Sequence, residues 1–328
     1  MAVTRLLVLV SLAACSDPPG TNVALCAVDA SADATTVDAG PCSPNPVATF
    51  PDPTGLHPTV TIQKPADYST TCATPRPILL VLGGYGSDTG FGAQIGMGWR
   101  YLKDIPGGVL ILAPDGAIRP GTAARYWNAD PACCDVGHVG NDDVAYLGGL
   151  IESVLAAGWN VDRTRVFVAG RSNGGFMAHR LACGRADLVT AIVDLAGAGR
   201  STVAPVCLST LPVAALVDHS QADAGIKYPG GTWMWNVLYP STLTTLAQRA
   251  AQNGCTGQLE LVAASAYDHD SAQPGAETDR LAYTGCPVAV EHWREPNSAH
   301  VFPQTTQAGT ITTVWGADAW AWLMTHPR

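Results

Sequence analysis

The chain has 328 residues, of which 47% are hydrophobic and 14% are charged, and it contains 34 glycines and 24 prolines. So much apolar material excludes disorder over most of the length, and the glycine and proline content excludes a coiled coil or a helical bundle. The net charge is −9 without a basic cluster; we expect no nucleic-acid partner, because binding phosphates requires clustered lysine and arginine.

The N-terminal residues have the pattern of an export signal. Arg5 supplies a positive charge, and residues 6–10 form an apolar run too short to cross a membrane as a helix. The run leads into Leu-Ala-Ala-Cys at residues 12–15, which resembles a bacterial lipobox with Cys15 as the lipidated residue. We predict a signal peptide over 1–14, export to the outer membrane or cell surface, and membrane contact only through the lipid. An ordinary secretory signal is the alternative.

Residues 15–55 have the composition of a disordered tether. Lysine and arginine are absent between Arg5 and Lys64, and aspartates are scattered among alanine, threonine, proline and glycine. Such a segment buries too little apolar area to offset the entropy lost when it is ordered. We expect it to connect the lipid anchor to a catalytic domain over 56–328.

From residue 59 onward, strand-like apolar runs alternate with helix-like segments. This alternation is typical of a mainly parallel sheet covered by helices on both faces. The strands are predicted over residues 78–82, 109–112, 165–169, 191–195, 213–217 and 288–293. The predicted helices follow Asn141 or Asp142, the turn at 170–175, Ser241 and residue 316.

The chain contains ten cysteines, and they favour disulfides in an oxidising compartment. No Cys-x-x-Cys pair occurs, so zinc and thioredoxin chemistry are poorly supported and no metal site is predicted. Cys255 and Cys286 bracket a hairpin-like region and are expected to pair. The adjacent Cys133 and Cys134 are expected to bond elsewhere in the chain. Their candidate partners are Cys183 and Cys207.

Residues 170–175, Gly-Arg-Ser-Asn-Gly-Gly, match the pattern Gly-x-Ser-x-Gly between a predicted strand and a predicted helix. The serine of this pattern occupies a strained turn, and small neighbours let the backbone segments pass each other. The helix that follows directs N–H groups toward a developing oxyanion. Ser172 is therefore predicted to be a nucleophile.

A nucleophilic serine needs a base, and α/β-hydrolases place their residues in the order serine, acid, histidine. His300 lies just beyond the last predicted core strand, where this order requires the base. Asp223 is the expected acid, because its rival Asp194 lies inside a strand, where burying a carboxylate is costly. His292, inside a strand, is expected to be a packed or surface residue, and His179 is expected to pack or to cap a helix.

The tetrahedral oxyanion formed in acyl transfer needs two hydrogen-bond donors. The N–H of Asn173, directly after the nucleophile, is the first expected donor. The second is expected from the glycine-rich loop after the strand at 78–82, with the Tyr85 N–H as first choice and the Gly84 N–H as second.

Five segments together resemble the polyhydroxybutyrate depolymerase and feruloyl esterase family, which is related to the family 1 carbohydrate esterases. The segments span most of residues 59–303 in the family's order. They are residues 82–86, 113–116, 127–129 with 133–134, 170–175 with 180–183, and 219–223 continuing to 228–231. The resemblance implies a disulfide-stapled α/β-hydrolase fold and gives the triad roles to Ser172, Asp223 and His300.

The same resemblance places Trp127 and Asn128 beside the substrate. The other candidate substrate-binding residues are Trp233, Trp235 and Phe302. The two tryptophans at 233 and 235 form either an apolar platform for substrate or a lid packed on the body, and the sequence leaves both interpretations open. The chain departs from the family at Gly83-Gly84, where His-Gly is usual, at Arg171, where an apolar or aromatic residue is usual, and at Phe302, where tryptophan is usual.

These residues predict an exported serine ester hydrolase that works through an acyl-enzyme and requires no cofactor. The expected partner is an ester substrate: a polyester, or a hydroxycinnamoyl or acetyl ester of a polysaccharide. A secreted serine peptidase on the same fold is the alternative, and a non-catalytic binding protein is disfavoured by the intact triad. The acidic residues between 268 and 279 are expected to form a solvated loop.

Overall fold

The computed structural model describes residues 52, 55–65, 67–68, 74–86, 89–105, 107–135, 139–204, 206–233, 236–306 and 312–328. The predicted signal peptide, Cys15, Trp235 and nearly all of the predicted tether lie outside the described residues. The division of the chain at residues 14 and 55 therefore stays a prediction.

Nine strands form the main sheet. They are β1 (Val60–Gln63), β2 (Arg76–Leu82), β3 (Leu110–Pro114), β4 (Val161–Arg171), β5 (Ala191–Leu195), β6 (Ala214–Ser220), β7 (Leu259–Tyr267), β8 (Thr278–Tyr283) and β9 (Val290–Glu295). Their order across the sheet is β1-β3-β2-β4-β5-β6-β9-β8-β7. The six strands from β3 to β9 in this order run parallel, while β1 pairs antiparallel with β3 and the hairpin β7–β8 pairs antiparallel with β9.

Among the described residues, five α-helices cover this sheet. They are α1 (Gly90–Gly96), α2 (Asp143–Ala156), α3 (Asn173–Gly184), α4 (Thr242–Gln252) and α5 (Val314–Met324), and a 3-10 helix spans Arg100–Lys103. The apolar faces of α2 and α3 pack on one face of the parallel strands, and those of α1 and α5 pack on the other. Every residue of β2, β5 and β6 is buried, as expected for strands covered on both sides. The predicted fold class is confirmed.

The helix starts follow their capping residues. The Asp142 side chain accepts a hydrogen bond from the Ala145 N–H, and Ser241 accepts one from the Thr244 N–H. Thr313 caps α5 through the Gly316 N–H, so this helix begins at Val314, three residues before its predicted start. Within the described part of the chain, none of these helices has the length and apolar character needed to cross a membrane.

The hairpin β7–β8 lies inside the hairpin-like region predicted between Cys255 and Cys286, but the bounds of its strands were not predicted, and neither was the edge strand β1. Most residues of β7 are exposed, and its pairing with β8 is interrupted by register shifts. A strand of this kind produces neither a buried apolar run nor a regular alternation, so the sequence pattern does not reveal it.

Three disulfides join cysteines of the described residues. They are Cys133–Cys134, Cys183–Cys207 and Cys255–Cys286. The third pair was predicted. The prediction that Cys133 and Cys134 bond elsewhere is wrong, because Cys183 and Cys207 lie 5.3 Å apart at their Cα atoms and bond to each other. Cys133 and Cys134 form a disulfide with each other.

Candidate active site

Ser172 stands at the junction of β4 and α3 with φ of 54° and ψ of −120°. Residues other than glycine rarely adopt a positive φ, so the surrounding structure must hold this turn. A side chain at Gly174 would lie 2.7 Å from the Gly83 carbonyl oxygen, so the start of α3 can approach the loop after β2 only with glycine there. The spacing of the Gly-x-Ser-x-Gly pattern thus follows from backbone packing.

The structure brings Ser172, His300 and Asp223 together. His300 Nε2 lies 2.9 Å from Ser172 Oγ, and His300 Nδ1 lies 2.7 Å from Asp223 Oδ2. The three residues follow β4, β6 and β9, whose carboxyl ends lie at one edge of the sheet. A side chain at Gly225 would lie 2.7 Å from His300 Cγ, so the close approach of this loop to the imidazole requires glycine.

The Asp223 carboxylate is held by several donors. Its Oδ1 accepts hydrogen bonds from the N–H groups of Gly225 at 2.6 Å and Ile226 at 3.0 Å. Burial opposes ionisation, but the hydrogen bonds from His219 and His300 outweigh it and lower the pKa of Asp223 to about 2. The carboxylate is therefore ionised at neutral pH, which is the state that orients and stabilises an imidazolium.

A second histidine contacts the same carboxylate, and sequence reasoning did not assign it to the site. His219 Nε2 lies 3.1 Å from Asp223 Oδ2 and 2.7 Å from the Ile226 carbonyl oxygen. The Thr242 hydroxyl lies 2.8 Å from His219 Nδ1. The signal that indicates His219 is a polar residue within the buried strand β6, four positions before the acid.

The loop carrying Gly84 and Tyr85 is fixed against the start of α3. The Trp127 indole N–H donates to the Gly83 carbonyl oxygen at 3.0 Å. The Asn173 side chain accepts from the Trp127 N–H at 2.8 Å and donates to the Trp127 carbonyl oxygen at 2.9 Å. Both candidate oxyanion segments are thereby joined through Trp127. The N–H of Asn173 belongs to the first turn of α3, where N–H groups lack intrahelical acceptors.

Trp127 is only 1% exposed, and its place beside the substrate stays a prediction. Its ring supports the loop from inside, because the indole N–H is used by the Gly83 carbonyl. Asn128 is half-buried: its N–H donates to Asp143 Oδ2 at 2.6 Å and its side chain donates to the Asn141 carbonyl at 2.8 Å. Both residues of the Trp-Asn segment are therefore held by hydrogen bonds, each to its own partners.

Two partly exposed aromatic side chains meet beside the loop after β2. The rings of Tyr85 and Trp233 pack edge to face with centroids 5.0 Å apart, and Arg119 donates to the Tyr85 hydroxyl at 2.9 Å. Phe302, two residues after His300, is half-buried. It packs on the apolar core on the face of the sheet that α1 and α5 cover.

The rival residues are engaged elsewhere. Asp194 is fully buried, lies 3.0 Å from His179 Nε2 and accepts a hydrogen bond from the Gly197 N–H. His292 lies between the Val217 carbonyl and the Tyr228 hydroxyl, and burial lowers its pKa to about 3. His179 and His292 are thus packed inside the protein, as expected.

Comparison with known proteins supports this fold. No family model matches the chain. Over 159 residues it is 28% identical to feruloyl esterase B of Piromyces equi, a match that covers 46% of this chain and 28% of that protein. The chain thus spans well under half the length of this curated relative. Among solved structures, the acetyl xylan esterase from Aspergillus awamori has a TM-score of 0.54 at 14% identity, covering 85% of this chain and 98% of that one.

Proposed function

We propose that this chain, an α/β-hydrolase in its fold, is a serine carboxylic ester hydrolase. The observation that carries the proposal is the continuous set of contacts from Ser172 Oγ through both nitrogens of His300 to Asp223 Oδ2, at 2.9 and 2.7 Å. Such an arrangement activates a hydroxyl that is otherwise a weak nucleophile at neutral pH.

In the proposed reaction, Ser172 Oγ attacks the ester carbonyl carbon while His300 Nε2 accepts its proton. The ionised Asp223 stabilises the imidazolium that forms. The oxyanion of the tetrahedral intermediate accepts hydrogen bonds from the N–H groups of Asn173 and of Tyr85 or Gly84. The imidazolium then protonates the departing alcohol, leaving an acyl-Ser172 ester. Water, deprotonated by His300, hydrolyses this ester and restores the serine.

We further propose that the acyl group is aromatic. The exposed parts of Tyr85 and Trp233 form an apolar surface next to the loop that supplies the second oxyanion donor. Aromatic rings pack favourably edge to face or offset at centroid separations of about 4.5–7 Å. The relative named feruloyl esterase B agrees with a hydroxycinnamoyl ester as substrate.

Replacing the nucleophile tests the reaction. We expect the full chain to hydrolyse p-nitrophenyl acetate and the Ser172→Ala variant to lose at least about 10⁴-fold in kcat. Ester turnover that survives the substitution would contradict the proposal. A wild-type chain that cleaves a peptide anilide but no ester would identify a peptidase instead.

A substrate panel tests the acyl group. We expect kcat/KM for methyl ferulate to exceed that for methyl acetate, and Trp233→Ala to reduce the ferulate value by about 10-fold while leaving the acetate value within about 2-fold. A preference for acetylated xylan or for poly(3-hydroxybutyrate) film would reject the aromatic acyl group but leave the ester hydrolase in place.

We also propose that the chain is exported and lipidated at Cys15. The three disulfides support export, because disulfides form and persist in oxidising compartments. Labelling cells with an alkyne fatty acid should mark the wild-type chain but not the Cys15→Ser variant. An unlabelled wild-type chain would contradict lipidation.

A further inference from the structure

Three buried ionisable side chains meet below the carboxyl edge of the sheet, outside the proposed active site. Asp218 lies in β6, Glu295 ends β9, and His269 follows β7. One potential ligand atom from each residue lies within 4.8 Å of those from the other two. Each residue is at most 1% exposed. The three come from separate segments, so no compact sequence motif announces the cluster.

Two polar atoms of this cluster have no hydrogen-bond partner among the described residues. They are Asp218 Oδ1 and His269 Nδ1. Leaving a buried polar atom unpaired destabilises the fold, and more so when the group is charged. A bound ligand inside the cluster removes this cost.

The remaining atoms of two of these residues are anchored from outside. The Trp315 indole N–H donates to Asp218 Oδ2 at 2.5 Å. His269 Nε2 lies 3.2 Å from Asp318 Oδ2, and its ring stacks on Tyr267. A histidine that binds a metal through one nitrogen commonly donates the other N–H to a carboxylate, which fixes its tautomer and orientation.

The charges in the cluster favour a cation. Asp218 and Glu295 each bring a buried carboxyl group, and a ligand atom of one lies within 4.8 Å of a ligand atom of the other. Two carboxylates this close repel each other when both are ionised, and a cation between them offsets that repulsion.

We infer that Asp218, His269 and Glu295 bind a divalent transition-metal ion, with Zn²⁺ the best match. Zinc accepts imidazole nitrogen together with carboxylate oxygen, whereas calcium and magnesium prefer oxygen ligands alone. The three residues supply one ligand atom each. This inference replaces the expectation, drawn from the cysteine pattern, of a chain without a metal site.

The position of the site gives the metal a structural role. Asp218 precedes Asp223 by five residues, and Glu295 precedes His300 by five residues. The ion therefore joins the ends of β6 and β9, the two parallel strands from which the loops bearing the acid and the base begin. Through His269 it also ties the end of the antiparallel hairpin to these strands.

Metal content of the purified full chain tests the inference, whatever the activity. After growth with zinc, we expect about one zinc per chain by inductively coupled plasma mass spectrometry, and a loss of at least about 10-fold in Glu295→Gln and His269→Ala. Glu291→Gln is the matched control, since Glu291 is a buried carboxylate of the same strand whose oxygens bond Arg280 and Trp293. It should retain the zinc.

If either variant fails to fold, thermal unfolding of the wild-type chain tests the metal site instead. Zinc added back to the chelator-treated chain should raise the midpoint of thermal unfolding by roughly 5–10 °C, while calcium leaves it unchanged. The assignment would be overturned if the wild type and the folded variants contained equal amounts of zinc. It would also be overturned if the wild type bound no zinc and its unfolding midpoint did not change, or if only calcium raised that midpoint. Loss of ester hydrolysis with zinc binding intact would refute the proposed function only.

Discussion

Two histidine–carboxylate pairs of this sheet have similar geometry and different surroundings. His179 Nε2 lies 3.0 Å from Asp194 Oδ2, and His300 Nδ1 lies 2.7 Å from Asp223 Oδ2. The side chain of His300 is 25% exposed, whereas that of His179 is 3% exposed. The second nitrogen of His300 reaches Ser172, while that of His179 has no partner in the described part of the chain. A carboxylate partner alone therefore does not make a histidine a general base; the other nitrogen must also reach a nucleophile.

The largest difference between the pairs should be in catalysis. Asp223→Asn removes the negative charge that supports the imidazolium and admits the wrong histidine tautomer, so we expect kcat to fall by about 10⁴-fold. Steady-state hydrolysis of p-nitrophenyl acetate measures the loss, and circular dichroism checks the fold. A folded variant that keeps more than a tenth of the wild-type kcat would show that Asp223 is not the acid.

For the buried pair of His179 and Asp194, we expect a loss of stability instead of a loss of catalysis. Asp194→Asn removes the carboxylate from the surroundings of His179 and the buried Arg249. The Nη2 group of Arg249 donates to the His179 carbonyl oxygen, so the guanidinium stays in place. The Arg249 guanidinium then loses the charge of Asp194 that stabilises it, and leaving a buried charge uncompensated costs about 3–5 kcal/mol of unfolding free energy. Urea unfolding measures this cost. Unchanged stability together with a 10⁴-fold loss of kcat would reverse the roles of Asp194 and Asp223.

A smaller effect should come from His219, which reaches the proposed active site through the acid, Asp223. His219→Ala removes one donor to the Asp223 carboxylate, and we expect kcat to fall by about 10-fold. His219→Gln should recover part of the loss, because its amide N–H can donate to the same oxygen. A purely structural role would instead lower the stability of both variants and leave kcat of the folded protein unchanged.

The weakest effect is on the pH dependence of stability. The folded pKa of Asp223 lies near 2, below its ordinary value of 3.8, so its contribution to stability is complete above that ordinary value and disappears as the pH falls through 2. The wild-type unfolding free energy should therefore decrease more steeply than that of Asp223→Asn between about pH 4 and 2. Parallel pH profiles for the two proteins would mean that this carboxyl is not stabilised in the ionised form.

The parallel core was predictable, and so was the approach of Ser172, Asp223 and His300 to one another, because local patterns encode both. Apolar runs such as residues 78–82 predict buried strands, and the strained turn at Ser172 needs small neighbours that the sequence displays. The burial of Trp127 was not predicted, because the Gly83 carbonyl that its indole N–H contacts is 44 residues away in the chain. The cluster of Asp218, His269 and Glu295 was missed for the same reason, since its members meet only after β6, β7 and β9 have joined one sheet.

The central claim is that Ser172 is activated by His300. Incubation with a fluorophosphonate, followed by peptide mass spectrometry, tests it most directly. We predict a covalent adduct on Ser172 that is absent in Ser172→Ala and forms at least about 10³-fold more slowly in His300→Ala. Labelling of another residue, or an equal rate in His300→Ala, would contradict the account.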